Sequence, residues 1–268
     1  MSVVVRPAVL DDVPLLTELT ARSFDRALHP YLTVAQAGAA RLLALALTHP
    51  HLHTGRELLV AVAGGTVVGY ADLRSSPEGD AFLSYLCVVE EARGRGVATT
   101  LIDGFRDERR PRSLALDVFT SNGPANALYD RMGFGRGPLS TWVARPLPSA
   151  AAAPAPIEAF ASVHATHEAY GFSQFRTGDL VVADGPRAAS TFGRIGDTVL
   201  KCVVPADFDD DDLLAAARSS FPTTSEAFAV VAADDRPASP HRVVVTSERR
   251  TVGTRHDAAD TRRHGRAA

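Results

Sequence analysis

The chain has 268 residues, 46% apolar and 22% charged, with a formal net charge of −3, a composition typical of a globular protein of one or two domains. Residues 1–148 hold 15 Arg and no Lys against 15 Asp and Glu, and the remainder is net acidic, so neither half has the basic excess of a nucleic-acid binder. The opening MSVVVRPAVLDD lacks a long apolar stretch, and no apolar run approaches the span of a bilayer. These features predict a cytoplasmic protein without membrane association. Cys87 and Cys202 lie in apolar runs without metal-ligand spacing and read as buried thiols of a reducing compartment.

In chain order, Ser2–Arg6 reads as a first strand and Val13–Phe24 as a helix. Glu57–Ala63 and Thr66–Leu73 read as strands joined by Gly64-Gly65, a two-residue hairpin signal. Ala81–Val89 (AFLSYLCVV) is too apolar for a loop and too short for a typical helix before Glu90-Glu91 interrupts it, which favours a buried strand. Arg93-Gly94-Arg95-Gly96-Val97-Ala98 follows, and its glycines let the backbone come close to a ligand. Behind it, Val97, Leu101, Ile102 and Phe105 recur at helical spacing, so free N–H groups and a partial positive charge meet at one point, where an anion such as a pyrophosphate should sit. Ser113–Phe119 alternates as a strand. Asn122 then reads as the N-cap of a helix that carries Ala125, Leu128, Tyr129 and Met132 on one face and stops at Gly133.

The chain changes character after Trp142-Val143-Ala144. Pro146–Pro156 is a Pro/Ala segment of the kind that makes a stiff, extended spacer. Beyond it, Ile157–Tyr170 reads as a helix, and Leu180–Ala183 and Thr198–Val204 as strands. Asp209–Phe221 reads as a helix with acidic residues crowding its N-terminus, and Ala227–Ala232 and Arg242–Thr246 as two more strands. The predicted organisation is a first domain over 1–146, a linker over 147–156, a small α/β domain over 157–248 and a polar, disordered tail over 249–268.

Arg93-x-x-Gly96-x-Ala98, preceded by a strand ending Leu86-Cys87-Val88, resembles the Arg/Gln-x-x-Gly-x-Gly/Ala pyrophosphate motif of the GNAT family of acyl-CoA-dependent N-acyltransferases. Asn122-x-x-Ala125-x-x-x-Tyr129-x-x-x-Gly133-Phe134 resembles the family's second block at its usual distance downstream. The resemblance covers residues 1 to about 146. It implies an α/β (α+β) GNAT fold, a mixed central sheet with flanking helices whose fourth and fifth strands, Ala81–Val89 and Ser113–Phe119, splay apart. It further implies acetyl-CoA as co-substrate, its pantetheine arm lying in that gap bonded to the open backbone edge of Cys87 and Val89, with the N–H near Val88 polarising the thioester carbonyl. The N–H groups of Arg93, Gly94, Arg95, Gly96, Val97 and Ala98 would hold the diphosphate, with Asn122 and Ala125 in the same cofactor site. By the same resemblance, Tyr129 is the general acid for the departing thiolate; periodicity alone makes it a core tyrosine. For the C-terminal part, element order alone fits a degenerate GNAT-like half.

The implied reaction is direct attack of a primary amine, of a small molecule or a protein, without an acyl-enzyme. Some family members carry a glutamate on the fourth strand where this chain has Phe82, which favours deprotonation through water; Glu78, Asp80, Ser84 and Asp117 carry no distinguishing mark as a base. By resemblance, Phe24–Thr54 shapes the acceptor pocket; Asp25, Arg26 and Tyr31 are open between contact with an acceptor and a place on the helix surface. No metal is expected. His49-Pro-His51-Leu-His53 lacks an accompanying carboxylate or thiol, and His164 and His167 lack the His-Glu-x-x-His spacing. Gly171-Phe-Ser173-Gln-Phe175 lacks the second glycine of a nucleophile elbow. Two functions therefore stand open: an N-acetyltransferase, and a catalytically silent acyl-CoA sensor or scaffold whose appended domain binds a partner. Acyl chain length is left open, as is whether the appended domain covers the cleft, forms a homodimer or recognises a partner.

Overall fold

The computed structural model describes residues 2–149, 153–182 and 185–253. The elements of the first part are β1 (Val3–Pro7), α1 (Val13–Ser23), α2 (Ala39–Thr48), β2 (Arg56–Ala63), β3 (Thr66–Ser75), β4 (Asp80–Val88), α3 (Val97–Arg109), β5 (Ser113–Phe119), α4 (Gly123–Arg131) and β6 (Gly135–Pro146). They are followed by α5 (Phe160–Tyr170), β7 (Phe172–Arg176), β8 (Leu180–Val182), β9 (Gly185–Arg187), β10 (Thr191–Ile195), β11 (Val199–Cys202), α6 (Asp211–Ser220), β12 (Glu226–Ala232) and β13 (Arg242–Gly253). Two compact units result: one holds the chain up to Ser23, Ala44–Pro138 and the described residues from Glu248, the other Phe24–Leu43 and Leu139–Ser247.

The first unit orders its strands β1-β2-β3-β4-β5, followed by the Glu248–Gly253 end of β13 and the start of β6. Gly64 and Gly65 join β2 to β3 with φ of 59° and 81°, the two positive values that a mirror-image hairpin turn demands. On one face of the sheet α3 buries Leu101, Ile102 and Phe105 against Leu59, Ala61, Ala71 and Leu73. Complete burial of each large side chain contributes roughly 2–3 kcal/mol, so α3 and the turn before it rest on a rigid base.

The pairing of β4 positions the site. On its β3 side the register runs Tyr85 with Asp72 and then Leu83 with Leu73, which leaves Ser84 as an extra residue. Such a bulge bends its strand and increases the local twist. On the other side, the parallel ladder with β5 joins Asp80, Ala81, Phe82 and Leu83 to Ser113, Leu114, Ala115 and Leu116 in step, and it ends at Leu83 and Leu116.

The second unit repeats this order of pairings. β7 and β10 are antiparallel, β10 and β11 antiparallel, and β11 and β12 parallel across α6, as β2, β3, β4 and β5 are across α3. Beyond β12 lie β6 and the Arg242–Ser247 part of β13, while β8 and β9 form a separate hairpin. Both sheet faces are covered. Phe192, Leu200, Phe208 and Leu214 are buried on one, Tyr31, Val199 and Phe228 on the other.

Three expectations are corrected. Arg249–Gly253, placed in a polar tail, belong to β13; the rest of that tail, 254–268, lies outside the described residues. The Pro/Ala segment is not a free spacer at its ends. Leu147 and Ala155 are core residues of the second unit, and their N–H groups donate to Ser225 O and Ala216 O at 2.9 Å each; residues 150–152 lie outside the described set. Nor do the units divide at one cut near residue 146, because the first contains Glu248–Gly253 and the second contains Phe24–Leu43. The helix expected from Ile157 begins at Phe160, and β7 and β10 are strands that the sequence pattern does not announce.

Gly69 lies on β3 opposite Val88, and a Cβ there would stand 2.9 Å from the Cys87 carbonyl oxygen and 3.1 Å from Val97 Cγ1. Gly69→Ala is expected to lower stability by about 1–3 kcal/mol through overpacking, measured by urea unfolding.

Candidate functional site

Where the β4–β5 ladder ends, the backbone of β4 is left open on one side. Val89 donates its N–H to Val68 O at 2.9 Å, and Val88 lies opposite Gly69. Backbone groups alternate between the two sides of an antiparallel strand. Cys87 and Val89 therefore turn their N–H groups to β3, while Leu86 and Val88 turn theirs to the gap. This corrects the expectation that Cys87 and Val89 present the open edge; the role of Leu86 follows from register, which composition does not encode. The Cys87 side chain is buried among Thr20, Ser23 and Tyr70, and burial pushes its thiol pKa up.

Beyond the gap's mouth, Gly94 and Gly96 adopt φ of 70° and 81°, and a Cβ on either would meet nothing within 4 Å. Gly96 caps α3 without a side-chain hydrogen bond, so the N–H groups of Val97, Ala98 and Thr99 have no intrahelical acceptor. Arg93 reaches back with Nε donating to Val88 O at 3.2 Å, and Arg95 is exposed. The turn is thus an open, electropositive cradle at the end of the broken ladder. A groove along α3 starts at Gly96 but runs to Asp103 and Asp107, whose carboxylates repel a polyphosphate.

Tyr129 is buried on α4 and meets the Phe134 ring edge-on at 5.4 Å. Burial first, and the Cys87 thiol second, push its phenol pKa up to about 12. Asn122 Oδ1 accepts from the Ala125 N–H at 3.2 Å, so Asn122 starts the helix, as its position before Pro124 predicts. Asn126 Nδ2 donates to Phe119 O at 3.0 Å and Asn122 O at 2.9 Å, tying α4 to the end of β5.

Arg250, assigned to a polar tail by the sequence pattern, is fully buried and grips α4. Its Nη1 donates to Asp130 Oδ1 at 2.6 Å and its Nη2 to Asn126 Oδ1 at 2.9 Å, on either side of Tyr129. Its Nε lies 2.8 Å from Glu248 Oε2 without hydrogen-bond alignment. Of the nearby acids, Asp117 is paired in a fork with Arg249 at 2.5 and 3.0 Å, and Asp80 accepts from Ser113 at 2.8 Å. Phe82 lies beneath the Arg249 guanidinium, 5.2 Å from its ring centroid. Tyr31 is not a free acceptor contact, since its hydroxyl is held by Glu226 and Arg242 within the second unit. Among the described residues, no three His, Cys, Asp or Glu side chains gather as metal ligands, and no helix is long and apolar enough to cross a membrane.

Residues 16–134 match the family model described as the Acetyltransferase (GNAT) family. The matched stretch runs from α1 to just past α4. A curated relative, the 5-NmdU N-acetyltransferase of Pseudomonas phage PaMx11, is 34% identical over 76 residues, 28% of this chain and 54% of the relative. The match therefore spans about half of that relative's length. Two solved structures match nearly end to end: a tandem GNAT protein from the clavulanic acid biosynthesis pathway (TM-score 0.64, 15% identity, 94% of this chain and 98% of that one) and a GCN5-related N-acetyltransferase from Sphaerobacter thermophilus (TM-score 0.58, 16% identity, 94% and 95%). These likenesses show a GNAT fold, and the match extends past residue 134 into the second half.

In the second unit the turn before α6 is chemically reversed. It has no glycine, it places Asp207, Asp209 and Asp210 before a helix that opens with Asp211 and Asp212, and Asp210 Oδ1 accepts from the Leu213 N–H at 3.0 Å. Its own carboxylates occupy the position that a diphosphate takes in an electropositive turn.

Replacing Arg250 by Met removes the donors to Asp130 and Asn126 and leaves the buried Glu248 with Arg136 alone, 3.9 Å away, and should destabilise the protein by about 2–3 kcal/mol, measured by thermal and urea unfolding. The Arg250 guanidinium holds the Asp130 carboxyl pKa below the usual carboxylate range. Its contribution is therefore present above about pH 4 and lost as pH falls through the lowered value. The Tm gap between the wild type and Asp130→Asn should accordingly close below about pH 4.

Proposed function

We propose that this protein is an acyl-CoA-dependent N-acyltransferase that moves the acetyl group of acetyl-CoA to a primary amine by direct attack. The observation that carries the proposal is the parallel ladder that stops at Leu83 and Leu116 beside an uncapped, glycine-lined helix N-terminus. A ligand that is both an extended amide and a diphosphate fits the two features together. The pantetheine arm lies along Leu86 and Val88, and the diphosphate rests on the N–H groups of Arg93 to Ala98. The Val88 N–H polarises the thioester carbonyl as charge develops on its oxygen, an effect typically worth about 10²–10³ in rate.

An amine with a pKa near 10 is about one part in a thousand neutral at pH 7, a cost of roughly 4 kcal/mol. With Asp117 and Asp80 engaged, its proton leaves through water. Tyr129, its pKa pushed up to about 12, stays protonated throughout. A free thiol titrates near about 8.5, so complete proton transfer from Tyr129 to the thiolate would be uphill by roughly 5 kcal/mol. Tyr129 therefore acts by donating a hydrogen bond to the departing sulfur, and the thiolate takes its proton from solvent. The acidic turn of the second unit supports one cofactor per chain.

Calorimetry with the full chain should find one acetyl-CoA bound, and a pool of primary amines should produce amine-dependent thiol release. Tyr129→Phe should slow that release about 10²-fold and leave acetyl-CoA affinity nearly unchanged. No binding, or binding with no thiol release for any amine, would overturn the transferase reading.

A further inference from the structure

The chain contains a single lysine, Lys201, among its 28 basic residues, and its surroundings differ from those of the arginines. It lies in β11 opposite Gly193 of β10. A Cβ on Gly193 would stand 3.3 Å from Lys201 Cβ and 3.8 Å from its Cδ, so the bare glycine makes room for the lysine stem to lie across the sheet. Its neighbour on the other side is Phe228, paired with it in register, with the ammonium 6.0 Å from the ring centroid. Val199, two residues before it on the same strand face, is buried against Phe228. Among the described residues no hydrogen bond or ion pair reaches the Lys201 ammonium, and burial lowers its pKa from the ordinary lysine value. A desolvated lysine without a carboxylate partner is the arrangement that makes this side chain a nucleophile.

We propose that Lys201 is an acylation site modified directly by acetyl-CoA. The lone pair of Nζ attacks the thioester carbonyl carbon, the C–S bond breaks, an amide forms on Nζ, and the displaced proton ends on the free CoA thiol. The product is neutral. Acetylation gives up the attraction to the Phe228 ring but breaks no ion pair, and it removes the cost of holding a charge in a half-buried position. The modification therefore leaves the fold intact. This inference does not depend on the proposed active site, since the amine and the thioester are the only reactants.

The test is incubation of the full chain with acetyl-CoA at pH 8, followed by peptide mapping. The readout is acetyl-Lys201, scored against the N-terminal amine and against the lysine of an unstructured reference peptide in the same tube. A lowered amine pKa raises the neutral fraction at pH 8, so Lys201 should be acetylated faster than the peptide lysine. Tyr129→Phe should leave this labelling unchanged, which separates it from amine-dependent turnover. A rate equal to or below that of the peptide would overturn the proposal. A Tm that falls on acetylation would overturn the claim that the fold tolerates it, with Lys201→Met as a second, unreactive chain expected to keep the wild-type Tm.

Discussion

The parting of β4 from β5 after Leu83 and Leu116 is the constraint on which the first unit's site depends. A parallel pair in a sheet normally continues until one strand ends, because every unpaired buried N–H or C=O carries a desolvation cost. Here the strands go on to Val88 and Phe119 without each other. The extra residue at Ser84 supplies a local cause, since a bulge turns β4 just where the ladder stops. Leu86 and Val88 are thereby left with backbone groups that a ligand can satisfy.

Much of this is legible in the sequence, for identifiable reasons. Glycine pairs, an Asn N-cap and apolar runs of strand length are local signals, and Gly64-Gly65, Asn122 and Ser113–Phe119 carry them. The turn from Arg93 to Ala98 is readable for the same reason. What escapes depends on register or on distance along the chain. Ser84 has no bulge signature, so the side of β4 that faces the gap cannot be assigned from sequence; the resemblance points to Cys87 and Val89, the register to Leu86 and Val88. Arg249 and Arg250 sit in a polar run that resembles a solvated tail, yet their partners are Asp117, Asn126 and Asp130, more than 100 residues earlier. β7 and β10 are short, and Ser173 and Arg194 break their apolar pattern with buried polar side chains.

The two units share an order of strand pairings but have opposite electrostatics at the turn that follows the first strand of the parallel pair. In one, glycine and arginine precede a helix whose N–H groups are free; in the other, aspartates precede and cap it. Helix dipoles favour negative charge at both places. In the first the chain leaves that demand unmet, and in the second it meets the demand itself. The same framework can therefore keep its packing while its two turns carry opposite charge.

The buried Arg250 has a consequence for how the protein is made. Residues 1–138 contain the fully buried apolar residues of the first unit, yet the buried cation that binds both Asn126 and Asp130 of α4 arrives only after the chain has been extended by more than a hundred residues. During synthesis, the helix that bears Tyr129 emerges long before its clamp. A fragment ending at residue 146 would leave Asp117 without Arg249 and Asp130 with Arg136 alone, so the first unit is finished by the last strand to leave the ribosome among those described.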